Sequence, residues 1–191
     1  MTNTSTEHVE LRGELTRLRE FREDDADQVL DLIGDDRVTR WLSFDSRSRA
    51  QAAAMLAGVA ERARSVPRTE YYLAVCARDQ DQTIGFARLA LSGVQAGKLG
   101  YAVHADHWGH GYATDAVKTM IRFGFNDLGL HRISAAIGPD NGASITIATK
   151  LGFNYEGRLR DHVYTNGAWR DSLLYSLLED EWNPLDVGEH Q

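Results

Sequence analysis

The chain contains 191 residues, of which 42% are hydrophobic and 26% are charged, and this length is sufficient for one domain with a well-buried core. The formal net charge is −7, so the sequence lacks the overall positive field that attracts nucleic acid or an anionic membrane surface. We therefore predict one domain over residues 1–191, with a core at about residues 10–183, flexible ends, and neither nucleic acid nor a membrane as a partner.

Three features of the sequence predict a cytoplasmic location. The first ten residues, MTNTSTEHVE, lack the basic start and the apolar stretch of a signal peptide. No apolar run approaches the roughly 18 residues that a membrane-spanning helix needs. The single cysteine, Cys76, lies in the apolar run YYLAVCA, where we expect a buried free thiol in a reducing compartment.

The first third of the sequence predicts one strand followed by two helices. The segment ELTRLREF alternates imperfectly between apolar and polar residues, as a strand does. The acidic run before VLDLI favours a helix start, and Gly34 is its expected end. The alanine-rich segment RAQAAAMLAGVAERAR predicts a second helix, with Ser46 as its cap.

From residue 71 onwards the apolar period changes to that of strands. The segments YYLAVCAR, TIGFARLALS and KLGYAVH predict a three-stranded meander. The remaining predicted elements are, in chain order, a helix after Gly111, a strand at HRISAAI, a helix after Pro139 and a hairpin around Asn166 and Gly167. This order of elements predicts an α/β protein with a single mixed sheet and about four helices.

Gly109 and Gly111 lie where the chain leaves a predicted strand and enters a predicted helix. Glycines in such a loop let the backbone approach a ligand closely, and the helix start offers unpaired N–H groups, which together suit a phosphate. A dinucleotide-binding fingerprint would have glycine in place of Thr114, and a P-loop would have a Gly-Lys pair. A tight turn that merely starts a helix is the alternative interpretation.

Four segments together resemble the GNAT family of GCN5-related N-acetyltransferases, and within it the RimJ/RimL-like branch that acetylates the N-terminal amines of ribosomal proteins. They are LGYAVHADHWGHGYATDAV, LGLHRISAAIGPDNGASITIATKLGF, YEGRLRDHVYTNGAWRDSLLYSLLEDEW and LRGELTRLREFREDDADQVLDLI. The resemblance covers roughly residues 10–183. It implies a single, mostly antiparallel sheet in which two parallel central strands, GYAVH and HRISAAI, splay apart.

The resemblance implies acetyl-CoA as the co-substrate and no metal. The loop from Trp108 to Thr114 would hold the pyrophosphate, although Trp108 stands where the general family pattern has Gln or Arg. The backbone N–H groups from Ala102 to His104 would polarise the thioester carbonyl. The complete set of implied cofactor-binding residues is Ala102, Val103, His104, Trp108, Gly109, His110, Gly111, Tyr112, Ala113, Thr114, Asn141 and Ser144.

Asn141 and Ser144 are the catalytic residues that the resemblance implies. Asn141 would contact the cofactor, and Ser144 would protonate the departing thiolate as a positioned hydrogen-bond donor. Many family members use a tyrosine for this step, at a position that Ala148 occupies here. From the residues alone, a helix cap is the better explanation for either side chain.

The acceptor that the resemblance implies is the α-amine of a protein or peptide, acetylated by direct attack on the thioester. The predicted acceptor groove lies between RWLSFD and the YTNGAW hairpin, where Asp45 and Asp161 would receive a basic peptide. Two alternatives remain open from the sequence: an acetyltransferase for a polyamine or other small amine, and a non-catalytic regulatory protein that binds acyl-CoA. Another donor such as succinyl-CoA, and a homodimer of the kind common in this branch, are also compatible with the sequence.

The sequence does not rank the candidates for the general base. They are Glu70, His104, Asp106 and His162. The three-residue spacing of His104, His107 and His110 suggests zinc, but this spacing across a turn and a glycine loop does not direct three imidazoles at one metal.

Overall fold

A computed structural model describes residues 8–183. The flexible ends expected from the sequence fall on residues 1–7 and 184–191, which lie outside this range. The described residues form one sheet of eight strands in the order β1-β2-β3-β4-β5-β6-β8-β7. The strands are β1 (Glu10–Arg12), β2 (Thr16–Arg19), β3 (Glu70–Ala77), β4 (Thr83–Leu91), β5 (Ala96–Val103), β6 (Arg132–Ile137), β7 (Asn154–Thr165) and β8 (Ala168–Leu178).

The described residues contain five α-helices, against about four predicted. They are α1 (Ala26–Ile33), α2 (Asp36–Thr39), α3 (Arg49–Ala63), α4 (Tyr112–Arg122) and α5 (Gly142–Lys150). The unpredicted one, α2, is a single turn capped by Asp35, whose carboxylate accepts a hydrogen bond from the Arg37 N–H at 2.8 Å. One turn is too short to show an apolar period.

Two boundaries near the N-terminus differ from the prediction. The segment predicted as one strand is half of a hairpin, because β1 pairs with β2 across a turn at Gly13. The cap of α3 is Ser48 rather than Ser46, because Ser48 and Gln51 each accept a hydrogen bond from the backbone N–H of the other. This reciprocal arrangement is a capping box, and it starts the helix two residues later than Ser46 would.

Two helical layers cover opposite faces of the sheet. On one face α4 packs against β2, β4 and β5 over a core that includes Leu73, Leu89 and Met120, each fully buried. On the other face α1 and α3 pack over Tyr72 and Phe86. Strands covered on both faces are apolar at every position, which explains the continuous run at β3. The expected burial of a free thiol at Cys76 is confirmed, and burial raises the pKa of that thiol.

Strands β5 and β6 form the one parallel pair within the described sheet. They pair only where Ala96–Lys98 lie beside Arg132–Ser134. Beyond these residues β5 continues to Val103 along β4, and β6 continues to Ile137 along β8. The predicted splaying of two central parallel strands is therefore confirmed. The backbone groups that face the gap lose their partner strand and are open to a ligand.

Candidate active site

A cavity of about 1050 Å³ opens where β5 and β6 diverge. The walls come from both strands, from the loop before α4, from the start of α5 and from two segments across the sheet, residues 41–43 and β7. All the predicted cofactor-binding residues line this cavity except His104 and His110. The fold therefore brings most of the residues singled out from the sequence to one place.

The glycine loop has the backbone conformation that its sequence requires. Gly109 and Gly111 have φ angles of +80° and +81°, a region that residues with a Cβ enter only at a cost. Gly111 is the N-terminal cap of α4. The N–H groups of the first helical turn have no partner within their own helix, so Tyr112–Thr114 can donate to an anion in the cavity.

Asp115 fixes the position of this helix start. Its buried carboxylate accepts hydrogen bonds from the backbone N–H groups of Glu14, Leu15 and Thr16 at 2.8 to 3.0 Å, and from the Thr16 hydroxyl at 2.6 Å. A Cβ atom on Gly13 would lie only 2.2 Å from this carboxylate. The turn between β1 and β2 therefore packs closely against the first turn of α4. This contact leaves no room for a residue larger than glycine at position 13.

The predicted donors for the thioester carbonyl need correction at two of the three residues. The His104 N–H is not free, because it donates to the Ile84 carbonyl at 2.8 Å. Backbone groups of successive strand residues point to opposite sides. The Ala102 N–H therefore also faces β4, and the N–H groups of Tyr101 and Val103 point into the gap instead. The Val103 carbonyl accepts a hydrogen bond from the Trp108 indole N–H at 2.7 Å. Trp108 therefore anchors the loop to the end of β5. Of the three predicted donors, the Val103 N–H is the one that points into the gap.

Asn141 and Ser144 both line the cavity at the start of α5. The Asn141 side-chain oxygen accepts from the Ser144 backbone N–H at 3.1 Å, so Asn141 is the helix cap. This bond fixes the carbonyl end of the Asn141 amide and directs its NH₂ group elsewhere. The position of the usual family tyrosine holds Ala148, which is 5% exposed and belongs to the core.

Sequence reasoning missed Tyr101. Tyr101 lines the cavity, and its buried hydroxyl has no hydrogen-bond partner of good geometry among the described residues. Burial raises the pKa of Tyr101, and the neighbouring Ser144 side chain partly offsets that rise. An unpaired buried hydroxyl costs about 1–3 kcal/mol, so this group is suited to a ligand. The signal in the sequence was a tyrosine on a strand that splays from its neighbour.

The three closely spaced histidines have separate environments. The His104 Nδ1 accepts from the Asp106 N–H at 3.3 Å, and the His110 ring stacks on Tyr112 with centroids 5.9 Å apart. His107 alone of the three lines the cavity, where burial and the neighbouring His104 lower its pKa. Within residues 8–183 no three metal-ligating side chains are grouped so that they could hold an ion.

The four candidate bases differ in their ion pairs and in whether they line the cavity. Glu70 is ion-paired with Arg62 and Arg88; burial raises its pKa, but the two guanidinium groups bring that pKa below its ordinary value. Asp106 is exposed and pairs with Arg37 at 3.2 Å. Of the four, His162 alone lines the cavity.

His162 reaches the cavity because strand β7 is bulged. The pairing of β7 with β8 shifts register between Leu159 and Val163, and Asp161 within the shift has a φ of +47°. The Asp161 N–H donates to the Asp171 carboxylate at 2.8 Å, which stabilises the bulge. Bulges redirect side chains and are frequent beside active sites. Here the bulge lets both His162 and the next residue, Val163, line one cavity.

The His162 ring is held by one contact. Its Nδ1 lies 3.0 Å from the Ser172 hydroxyl, and Ser172 is buried in β8. This contact leaves Nε2 as the ring nitrogen that can face a substrate. The arrangement combines a proton acceptor with a backbone that positions it.

The two segments predicted to frame an acceptor groove lie against each other. Arg170 of β8 donates to the carbonyls of Arg40 and Leu42, both at 2.6 Å. Asp45 accepts from the Thr165 hydroxyl and from the Asn166 N–H. Asp45 is therefore engaged in holding the hairpin and does not line the cavity, contrary to the prediction that it receives a basic peptide. Asp161 does not line this cavity but lines an adjoining, smaller pocket, which shares Leu159 and His162 with it.

Comparison with known proteins agrees with this architecture. The model of the acetyltransferase (GNAT) domain matches residues 16–154. The chain is 32% identical over 85% of its length to the uncharacterized N-acetyltransferase YoaA of Bacillus subtilis, of which 92% is covered. It is 30% identical to the [ribosomal protein uS5]-alanine N-acetyltransferase of Escherichia coli, over 60% of each chain.

A solved structure, Mycobacterium smegmatis RimJ in complex with CoA-disulfide, superposes with a TM-score of 0.79 at 24% identity, covering 91% of this chain and 88% of that one. This likeness shows the fold. The chain belongs to the GNAT family, and it is an N-acetyltransferase. Within residues 8–183 no helix is long and apolar enough to cross a membrane.

Proposed function

We propose that this enzyme transfers the acetyl group of acetyl-CoA to the N-terminal α-amine of a protein or peptide. One observation carries the proposal: a single cavity joins the glycine loop, the gap between β5 and β6, and His162. A donor and an acceptor bound at its two ends would meet at the gap. The relative from Escherichia coli, whose name gives a ribosomal-protein alanine as its substrate, supports the choice of an α-amine.

Acetyl-CoA fits the backbone and side-chain groups that have no partner within residues 8–183. The N–H groups of Tyr112–Thr114 would hold the pyrophosphate at the positive end of the α4 dipole. The backbone groups of β5 that face the gap would pair with the pantetheine amides. The Val103 N–H would donate to the thioester carbonyl, where negative charge develops as the amine attacks.

We assign to His162 the removal of a proton from the amine. About a tenth of α-amines are neutral at pH 7, compared with fewer than one lysine in a thousand. Nε2 of His162 would accept the proton that the amine loses as its nitrogen bonds to the acetyl carbon. The carbon–sulfur bond then breaks, and the thiolate takes a proton from the hydroxyl pair of Ser144 and Tyr101, so CoA leaves as a thiol. The hydroxyl pair regains a proton from solvent, and His162 releases to solvent the proton that it accepted.

A polyamine is a poorer acceptor for this cavity. Among the described residues that line it there is no Asp or Glu, and a polycation would have no carboxylate to bind there. The cytoplasmic location and the homodimer stay predictions from the sequence.

CoA release with three acceptors tests the proposal. We expect turnover with a peptide that begins with Ala or Ser, and little turnover with the same peptide blocked at its N-terminus or with spermidine. Turnover with spermidine alone, or equal turnover with the blocked peptide, would contradict the assigned acceptor.

A further inference from the structure

Three positively charged side chains line the cavity from neighbouring strands. Arg88 on β4 lies opposite Gly100 on β5, and Lys98 lies two residues before Gly100. Lys98 in turn lies beside Ser134 on β6, two residues after Arg132. Diagonal neighbours of this kind are about 7–8 Å apart on one face of a sheet. The three form a cationic strip, defined as Arg88, Lys98 and Arg132.

The members of the cationic strip differ in how they are neutralised. Arg88 pairs with Glu70, and Arg132 donates to Glu156 at 3.0 Å. Lys98 is exposed and makes no hydrogen bond or ion pair within residues 8–183. With no carboxylate among the described lining residues, the cavity is positive within a chain of net charge −7. Such a cavity concentrates anions.

The phosphates of CoA do not account for the cationic strip. Lys98 is at the closed end of the gap, where β5 and β6 still pair. The phosphate cradle lies at the other end, beyond Val103. Val103 is five positions after Lys98, which corresponds to about 16 Å along a strand. The cationic strip therefore lies on the far side of the reacting centre from the cradle.

We propose that the cationic strip binds a carboxylate of the acceptor, and that the enzyme prefers N-terminal peptides with an acidic residue at the second or third position. This inference rests on the proposed function. In an extended peptide the third residue is about 7 Å from the first. The Lys98 side chain and the acidic side chain would span the remaining distance from an amine at the gap. Lys98 supplies a charge that no group within residues 8–183 neutralises, and the two arginines add to the field.

Three peptides that differ only at the third residue test this preference. They begin Ala-Ala-Glu, Ala-Ala-Gln and Ala-Ala-Arg, and kcat/KM is measured for each by CoA release. We expect the Glu peptide to exceed the Gln peptide by about 5- to 10-fold, with the Arg peptide lowest, because an opposite charge improves both encounter and binding. The ratio should fall as salt rises.

Charge reversal identifies the residue responsible. Lys98→Glu should remove or invert the preference, while Lys98→Gln should weaken it. Lys150→Glu is the matched control, because Lys150 is exposed at the end of α5 and does not line the cavity. Acetyl-CoA affinity, measured by calorimetry, should be unchanged in all three variants, which also verifies that they are folded.

Equal kcat/KM for the three peptides would overturn the inference and leave the proposed function standing. The inference is also overturned if Lys98→Glu keeps the wild-type order of peptides. Failure to release CoA with any peptide would overturn the proposed function, and the inference with it.

Discussion

The carboxylate of Asp115, in the first turn of α4, binds both the backbone N–H and the hydroxyl of Thr16, 99 residues earlier in the chain. Both residues are buried. The contact joins the first hairpin of the sheet to the helix whose free N–H groups face the cavity. The position of the proposed phosphate cradle therefore depends on a segment remote from it in sequence.

Replacing Asp115 by Asn should destabilise the protein and weaken acetyl-CoA binding together. An amide oxygen cannot serve all the donors that the carboxylate serves, and hydrogen bonds to a charged group contribute about 1.5–3 kcal/mol. We expect the free energy of unfolding in urea to fall by about 2–3 kcal/mol. Asp127→Asn, at an exposed position after α4, should change neither quantity. An unaltered midpoint for Asp115→Asn would show that this contact does not support the helix.

Gly111→Ala should lower acetyl-CoA affinity by more than its effect on stability explains. The φ of +81° at Gly111 costs an alanine about 1–2 kcal/mol, and an added Cβ would lie 3.1 Å from a Leu15 methyl group. We expect at least a ten-fold weaker Kd by calorimetry, since the cap of α4 would shift.

The matched control is Gly129→Ala. Gly129 also has a positive φ, of +62°, but it lies outside the cavity lining. This variant should lose stability and keep its affinity. If both variants bind acetyl-CoA like the wild type, the loop at Gly109 and Gly111 is only a turn.

The sequence predicted the large features of the fold because they depend on local patterns. The glycines before α4, the hairpin at Asn166 and Gly167, and the apolar strands were each readable from composition and period. The single-turn helix α2 and the bulge at Asp161 were not, because each depends on contacts between side chains and the backbone. The sequence also showed that Asp45 is acidic, but not that Thr165 and Asn166 donate hydrogen bonds to its carboxylate.

The site residues, too, could be predicted from the sequence only where local patterns indicate them, and not where tertiary contacts decide. His162 was one of four unranked bases, and only the bulge distinguishes it from Glu70, which tertiary ion pairs neutralise. The exclusion of the His104 N–H follows from its bond to Ile84, a pairing register that no single strand specifies.

Tyr101→Phe and Ser144→Ala should each lower kcat by about 10- to 100-fold, which is near the lower end of the range for a positioned proton donor. The KM for acetyl-CoA should change less, because the thiolate charge develops only in the transition state. The double variant should lose less than the product of the two single effects if the hydroxyls act as one unit. A wild-type kcat in Tyr101→Phe would show that its hydroxyl has no part in the reaction.

His162→Gln should lower kcat/KM at pH 7 by about 100-fold or more, because a positioned base contributes 10²–10⁴-fold. The defect should shrink towards pH 9, because hydroxide can then take the proton that the nitrogen loses as it bonds to the acetyl carbon. His131→Gln is the control, as His131 is exposed and lies outside the cavity lining. A defect that is constant from pH 6 to pH 9 would contradict a role in proton removal.

Locating the acetyl group in the product tests most directly whether this cavity acetylates an α-amine. A peptide with a free N-terminus and one internal lysine is incubated with the enzyme and acetyl-CoA, and the product is fragmented in a mass spectrometer. We predict that the acetyl group is on the N-terminal nitrogen alone. An acetyl group on the lysine side chain, or an unmodified peptide under conditions in which spermidine is acetylated, would contradict acetylation of an α-amine.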